Sequence, residues 1–327
     1  MSDIERDLYI LVLGEINPDV VVSDPDPVPV FGQVERIVDS VTLTVGSSSA
    51  IFACGAARLD LSVAFVGVVG DDAFGRFMLE AMATRGIDVS GCRVDDAVPT
   101  GASVILSSGR DRAILTAVGT IGALDVDDVP AELLSRARHL HSGSFFLQAR
   151  SRDRLPGFFQ DARARGQTTS FDANWDPEER WDGGVRAMLR AADVFFPNAV
   201  EAMRIAGVDD VEGAARELAR VGSEGRSDDG PLIVVKLGED GALAYGTGQE
   251  VVRIEAMPVS AIDTTGAGDS FDAGFLRAWL DGASTIDALR FGAVCGALST
   301  RGLGGVDAQP TRADAERALA SWGGVAR

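Results

Sequence analysis

The chain has 327 residues, of which 46% are hydrophobic and 24% charged, and its 30 basic and 49 acidic side chains give a net charge of −19. A field of that sign repels nucleic acid and anionic membranes, which argues against both as partners. No apolar run reaches the ~20 residues needed to cross a bilayer, and the acidic start Met1–Asp7 lacks the basic region of a signal peptide. Three widely spaced cysteines without a CxxC pair favour a reducing compartment, so we expect a cytoplasmic protein.

The first third of the chain mixes buried and exposed patterns. Buried strands are predicted at 8–13 and 63–69, and helices at 50–59 and 74–85. Two other stretches, 18–45 and 100–118, alternate polar and apolar residues, which is typical of exposed antiparallel strands, with a hairpin turn at 108–111. These two stretches fit poorly inside a buried sheet, and we predict that they form a small sheet of their own.

The rest of the chain alternates between strands and helices. Strands are predicted at 139–146, 168–174, 193–198, 232–238, 242–246 and 251–256. Helices are predicted at 151–165, 182–191, 199–206, 267–281, 285–300 and 311–322. Repeated βα units predict a mostly parallel central sheet with helices on both faces, a three-layer α/β/α sandwich. We assign one domain, 1–327, made of a large α/β part (1–17, 46–96, 121–327) and a small β lid (18–45, 97–120).

The strongest functional signal is the stretch DTTGAGDSF at 263–271, which opens a predicted helix. Small residues at a helix N-terminus leave amide N–H groups unshielded, so Gly266, Ala267 and Gly268 can hold a phosphate. The helix dipole adds positive potential at this point. Asp269, in the first turn, can accept the proton of a hydroxyl that attacks the phosphoryl group. For the short pattern taken alone, a glycine-rich turn with an acidic residue at a helix start is the preferred explanation, and the full nine-residue context favours the functional one.

The longer segment DTTGAGDSFDAGFL, 263–276, resembles the C-terminal signature of the PfkB family, the ribokinase-like carbohydrate and nucleoside kinases. Further segments resemble family motifs in the same order: GEINPD (14–19), GVVGDDAFG (67–75), PNAVEA (197–202), KLGEDG (236–241) and STRGLG (299–304). The resemblance covers almost the whole chain. It implies a ribokinase-like fold and transfer of the γ-phosphate of ATP to a hydroxyl of a sugar or sugar-like molecule. Asp269 would be the general base, beside an anion hole formed by Gly266, Ala267 and Gly268.

The same resemblance implies the other site residues, cofactors and partners. ATP would contact Asn198, Lys236, Gly238, Gly241, Thr264, Gly266 and Gly268. The acceptor would contact Asp19, Gly46, Ser47, Ile51, Gly143 and Asp269. Glu201 would hold Mg²⁺ through water, and Asp263 would help bind a monovalent cation such as K⁺ in members that use one. Family members often dimerise through the lid, so a homodimer is expected.

Two positions of the acceptor site depart from the family pattern. Ser47 replaces the second glycine of a Gly-Gly pair, and Ile51 stands where an asparagine usually binds the sugar. An apolar side chain leaves a substrate hydroxyl unpaired, which costs about 1–3 kcal/mol. We therefore expect weak use of free ribose, while the phosphoryl chemistry is unaffected.

The sequence leaves other functions open. A nucleoside kinase of the same family fits the apolar Ile51, and a catalytically silent binding protein on the kinase fold would not need the intact DTTGAGD. A dinucleotide oxidoreductase is not favoured, because this chain has no G-x-G-x-x-G motif after its first strand. His139 and His141 alternate along one predicted strand and share a sheet face, where packing is favoured over a metal pair without a third ligand.

Overall fold

A computed structural model of the protein describes residues 7–108 and 112–323; three positions of the hairpin turn predicted at 108–111 lie outside these ranges. The strands are β1 (Leu8–Leu13), β2 (Pro18–Ser23), β3 (Ser40–Val45), β4 (Val63–Val66), β5 (Val68–Gly70), β6 (Arg93–Asp95), β7 (Ala102–Ser107), β8 (Arg112–Ala117), β9 (Ala137–Ser142), β10 (Thr168–Phe171), β11 (Val194–Phe195), β12 (Leu232–Lys236), β13 (Ala242–Tyr245) and β14 (Val252–Ile254). The helices are α1 (Ser48–Arg58), α2 (Ala73–Thr84), α3 (Ala131–Arg136), α4 (Leu155–Ala164), α5 (Val185–Ala191), α6 (Ala199–Ala206), α7 (Val211–Ser223), α8 (Ala267–Leu280), α9 (Thr285–Ser299) and α10 (Arg312–Trp322). Within these ranges no helix combines the length and hydrophobicity needed to span a bilayer.

The central sheet has eight strands in the order β14-β13-β12-β11-β10-β9-β1-β4. Its strands are parallel from β4 to β12, and β13 and β14 add an antiparallel edge. The order places the carboxyl ends of β1, β9, β10, β11 and β12 along one edge, where ligands bind in open α/β sheets. The predicted fold class, a mostly parallel sheet with a small separate sheet, is confirmed.

Alternating side chains of each central strand enter two different cores. In β1, Ile10 and Val12 pack into the core formed with α1, α2, α8 and α9. Leu11 and Leu13 enter the opposite core, formed with α3 to α7. Because both faces of the sheet are covered, its strands are apolar at nearly every position, which explains the continuous apolar runs in the sequence.

A second sheet of four strands, in the order β3-β2-β7-β8, lies apart from the central sheet. Its strands come from the two alternating stretches of the sequence, and β2 pairs antiparallel with β3 and parallel with β7. Strand β8 is exposed at every position. The chain therefore builds a small lid sheet, while the division at 18–45 and 97–120 stays a prediction.

Several segments differ from the prediction. The strand predicted at 63–69 is two strands, β4 and β5, which belong to different sheets. The strand predicted at 139–146 ends at Ser142, because Ser144 turns into the left-handed region with φ 47° and residues 145–147 form a short 3-10 turn. This turn buries Phe145 and Phe146 in the core below the sheet. The helix Val211–Ser223 was not predicted, since its buried face is made largely of alanine and glycine, whose apolar signal is weak.

Candidate active site

The turn at Gly266 opens α8 and has the geometry of an anion site. Gly266 adopts φ 71°, and a Cβ there would come within 2.9 Å of the Gly305 backbone and 2.8 Å of Ile51 Cγ2, so only glycine fits without strain. The residue at the N-cap contributes no side-chain hydrogen bond. Ala267 N donates to Thr264 O at 3.3 Å, and no N-cap side chain occupies the amides that follow, which lie at the positive end of the helix dipole, where an anion is favoured.

Asp269 lies in this first turn at the head of a short hydrogen-bond chain. Ser48 Oγ donates to Asp269 Oδ1, and Asn174 Nδ2 donates to Ser48 Oγ at 2.9 Å. Surrounding protein atoms desolvate the Asp269 carboxylate, and this burial raises its pKa to about 7, although the Ser48 hydrogen bond and the Lys236 charge oppose the shift. A carboxylate with that pKa is suited to accept a proton near neutral pH.

Lys236 sits beneath the same turn. Its Nζ donates to Asp172 Oδ2 at 2.6 Å and to Asp272 Oδ2 at 3.0 Å. A Cβ on Gly268 would lie 3.5 Å from this Nζ, which places the ammonium group beside the turn formed by residues 266–269, called the anion turn below. Both carboxylates are buried, so the lysine and its partners form an internal ion-pair cluster.

Asn198 and Glu201 form a capping box at the start of α6. Glu201 Oε2 accepts from Asn198 N at 2.9 Å, and Asn198 Oδ1 accepts from Glu201 N at 2.9 Å. Burial and the charge of Asp172 raise the pKa of Glu201 to about 7, while Lys236 lowers it. The two residues thus cap the helix, and the Glu201 carboxylate also faces the carboxylates of Asp172 and Asp269, which together form an acidic floor of the site.

On the acceptor side, Asp19 of β2 and Gly46 meet closely. A Cβ on Gly46 would lie 2.2 Å from Asp19 Oδ1, so a glycine is required for the carboxylate to occupy this position. Asp19 is buried, and this burial raises its pKa to about 6, partly offset by the charge of Arg112. Gly143 is needed for a similar reason, since a Cβ there would lie 2.6 Å from Ser49 Oγ.

The two departures from the family pattern have clear local structures. Ser47 adopts φ 69°, a conformation that favours glycine, and its hydroxyl donates to the Glu15 carbonyl oxygen at 2.5 Å. The same hydroxyl accepts from Ala50 N and caps α1. Ile51 is buried, with 4% of its surface exposed, against Gly266. Hydrogen bonds thus compensate the backbone strain at Ser47, while Ile51 contributes apolar packing next to the anion turn.

A cavity of about 610 Å³ lies on the other side of the anion turn, between α8, α9 and the segment after β14. Its lining includes the predicted ATP residues Lys236, Gly238, Gly241, Thr264 and Gly268. A second set of mainly apolar residues completes the wall: Met257, Pro258, Val259, Phe271, Ala293, Gly296 and Ala297. A largely apolar slot that ends at the N-terminus of α8 has the size and chemistry of a nucleotide site.

Asp263 organises the loop before the anion turn. Its Oδ1 accepts from Thr265 N at 2.9 Å, and its Oδ2 accepts from Gly304 N at 2.9 Å. Arg112 of β8 donates to Thr265 Oγ1 at 2.7 Å and so links the lid to this loop. The expected cation-binding role of Asp263 stays a prediction.

Sequence reasoning missed several polar residues of the site. Ser48, Asn174, Asp172 and Asp272 all contact Asp269 or Lys236 directly or through one residue. A signal was available for two of them, because Asp172 and Asn174 follow the carboxyl end of a predicted strand, where sheet ligands bind.

The two histidines lie in β9, outside this set. His139 Nδ1 bonds to Thr168 Oγ1 at 2.8 Å, and His141 Nδ1 bonds to Ser170 Oγ at 2.8 Å. Both are buried, and this desolvation lowers their pKa values. They are packed, hydrogen-bonded residues of the sheet.

The chain is similar to known carbohydrate and nucleoside kinases. Residues 7–312 match the family described as 'pfkB family carbohydrate kinase'. A fructokinase of Klebsiella pneumoniae is 34% identical over 289 residues, 84% of this chain and 91% of the relative. A nucleoside kinase of Methanothermobacter thermautotrophicus is 30% identical over 284 residues, 85% of each protein. A fructokinase of Vibrio cholerae O395, solved with fructose, ADP and calcium, superposes with a TM-score of 0.77 at 27% identity, covering 97% of this chain and 99% of that one.

The sheet order, the lid and the helix-terminal anion turn define a kinase of the ribokinase-like fold. The chain belongs to the pfkB family of carbohydrate kinases. It is a sugar or nucleoside kinase of that family.

Proposed function

We propose that the protein transfers the γ-phosphate of ATP to a hydroxyl of a sugar or sugar-like molecule, with Asp269 as general base. The observation that carries the proposal is the position of Asp269. It lies in the same helical turn as Ala267 and Gly268, which line the 610 Å³ cavity, and its carboxylate bonds to Ser48, two residues after the Gly46 that lies against Asp19. Its pKa of about 7 suits proton transfer near neutral pH.

The cavity supports the nucleotide assignment. The adenine would lie in the apolar slot near Met257 and Ala297, and the phosphates would run past Gly238 and Thr264 toward the turn at 266–269. Gly241 adopts φ 95°, and a Cβ there would lie 2.1 Å from Ile254 O, so it shapes the wall of this slot. Asn198 forms an isolated parallel bridge with Lys236, which lines the cavity, and would border the phosphate end.

A divalent cation fits the acidic floor of the site. Glu201 and Asp269 both have pKa values raised by burial, and the Asp269 charge also raises the pKa of Glu201. Crowded carboxylates of this kind are relieved by a bound Mg²⁺, which Glu201 would hold through water. When bound with ATP, the ion would neutralise charge on the phosphate oxygens.

The chemical step follows from these positions. Asp269 accepts the proton of the acceptor hydroxyl as its oxygen attacks the γ-phosphorus, and the bond from that phosphorus to the β-phosphate bridging oxygen breaks. The amides of residues 266–269 stabilise the charge on the transferring group. ADP leaves with the electron pair of the broken bond. Asp19, held against Gly46, would orient the acceptor hydroxyls, with Ser47, Ile51 and Gly143 nearby.

A second candidate, a nucleoside kinase, rests on Ile51. Its buried apolar side chain next to Gly266 is unsuited to bind a sugar hydroxyl, and one relative is named a nucleoside kinase. In a competition assay, a nucleoside that inhibits turnover of the sugar and is itself phosphorylated would favour this candidate.

The lid supports the expected homodimer. Its loop and strands expose Phe31 at 95% and Ile37 at 90% of their surfaces, together with Val41 and Ile114. Several exposed apolar groups on one small sheet and its connecting loop are typical of an interface. Light scattering that gives the mass of two chains would support the dimer, and a monomer at micromolar concentration would contradict it.

The test of function is ADP release from ATP and Mg²⁺ with a panel of pentoses, hexoses, sugar acids and nucleosides. We expect turnover with one class of acceptor, weak turnover with free ribose, and loss of turnover in Asp269→Asn. A KM for ribose equal to that of an efficient ribokinase would contradict the effect expected of Ile51. No turnover with any member, together with intact ATP binding, would point to a binding protein.

A further inference from the structure

Lys236 is the only lysine of the chain, and its ammonium group lies below the turn that opens α8. Its side chain is 13% exposed, and those of its partners Asp172 and Asp272 are 3% and 2% exposed. The position that a Cβ would take on Gly268 is 3.5 Å from Nζ. The only lysine charge is therefore fixed beside the residue that precedes Asp269.

This lysine joins three segments that are distant in the sequence. Its backbone N–H donates to Pro197 O at 2.9 Å, directly before the Asn198 turn. Its Nζ reaches Asp172, which follows β10, and Asp272, one helical turn after Asp269 in α8. A structural ion pair needs one carboxylate, whereas here two of them hold the ammonium group in a single position.

We propose that Lys236 is a positioning residue for phosphoryl transfer, which supplies the fixed positive charge that allows Asp269 to act as a base on an otherwise acidic floor. This inference rests on the proposed function. It goes beyond contact with ATP, because the lysine acts through Asp269 and through the α8 turn.

The charges around Lys236 decide the sign of its effect. Titratable groups face Lys236 or Asp269 from each neighbouring element: Glu15 after β1, His141 in β9, Asp172 after β10, Glu201 in α6, and Asp272 in α8. Burial raises the pKa of Asp269, the Lys236 charge lowers it, and the Asp172 charge raises it. Removing the lysine charge must therefore make Asp269 hold its proton to higher pH, and removing the Asp172 charge must do the opposite.

The experiment compares the pH dependence of kcat in Lys236→Met, Lys236→Arg and Asp172→Asn, with the acceptor found in the panel. In Lys236→Met we expect the acidic limb of the kcat profile to move up by about one pH unit, a roughly eightfold loss near pH 6.5 that shrinks to about twofold near pH 8 and nearly vanishes near pH 9. Lys236→Arg keeps the charge and should keep the limb in place. Asp172→Asn leaves the lysine paired with Asp272 and should move the limb down.

Glu201→Gln identifies the titrating group. The limb should persist in this variant, because it belongs to Asp269. If the acidic limb of the kcat profile is absent in Glu201→Gln, the inference is overturned. So would an equal loss of kcat at every pH in Lys236→Met, or a change confined to the KM for ATP, since either result would make the lysine a structural or nucleotide contact only.

An NMR titration separates this inference from the proposed function. The carboxyl carbon signal of Asp269, assigned by its disappearance in Asp269→Asn, should titrate at higher pH in Lys236→Met and at lower pH in Asp172→Asn. Both shifts without turnover of any acceptor would refute the proposed function alone. An unchanged titration in Asp172→Asn would overturn the role of the cluster, even if Lys236→Met fails to fold because two buried carboxylates lose their partner.

Discussion

The central sheet and the lid sheet bury their strands to very different extents. In β1, every residue but one is buried, whereas in β8 all six are exposed. The central strands carry Asp172 and Lys236 at their carboxyl ends, and both side chains have fixed partners. The central sheet therefore holds the charged groups proposed for phosphoryl transfer in fixed positions, while the lid supplies Asp19 and an exposed apolar surface.

The largest effect is expected when the proposed general base, Asp269, is removed. Asp269→Asn should lower kcat by about 10²–10⁴-fold, the usual range for a lost general base, because the amide cannot accept the hydroxyl proton. The fold should be unchanged, and circular dichroism with the ADP-release assay checks both points. Near-wild-type turnover would refute the role of Asp269.

A pair of phenylalanines tests the difference in packing. Phe171 at the end of β10 is fully buried and stacks on Phe195 at 4.3 Å, so Phe171→Ala should lower the free energy of unfolding by about 3–5 kcal/mol. Phe31 in the lid is 95% exposed, and Phe31→Ala should change it by less than about 0.5 kcal/mol. Urea unfolding at low protein concentration measures both. Equal losses of unfolding free energy in the two variants would mean that the lid is packed as tightly as the central sheet.

The raised pKa of Asp269 also predicts a cost in stability. Its pKa is about 7 in the folded protein and near the model-peptide value of 3.8 in the unfolded chain. The unfolded state therefore loses this proton first, so the group makes the folded protein progressively less stable as pH rises from about 4 to 7. Asp269→Asn should have a higher Tm than wild type at pH 8, by a few degrees.

The matched measurement is the same pair of proteins at about pH 5, where the difference in Tm should be much smaller. A Tm difference that does not depend on pH would show that the carboxylate is not desolvated in the free enzyme.

The smallest effect is expected at the link between the two regions. Arg112 in the lid donates to Thr265 beside the anion turn, and an exposed charged contact is worth about 1 kcal/mol or less. Arg112→Ala should raise the KM for the acceptor roughly fivefold and leave the KM for ATP nearly unchanged. A larger change in the KM for ATP would place Arg112 in the nucleotide site.

The sequence was sufficient for features that depend on neighbouring residues. Gly266, Ala267 and Gly268 are consecutive at a helix start, which is the pattern that predicts an anion site, and the capping box of Asn198 and Glu201 is a four-residue pattern. The alternation of strands and helices likewise determined the α/β class.

Only the tertiary structure decided which distant polar groups meet. Ser48 and Asp269 are 221 positions apart, and Lys236 is 64 positions from Asp172 and 36 from Asp272. No local pattern reports such pairs, because they form only when parallel strands bring their carboxyl ends to one edge of the sheet. The sequence by itself determined the turn that can hold a phosphate, and the packing of strands and helices around that turn decided which charges surround Asp269.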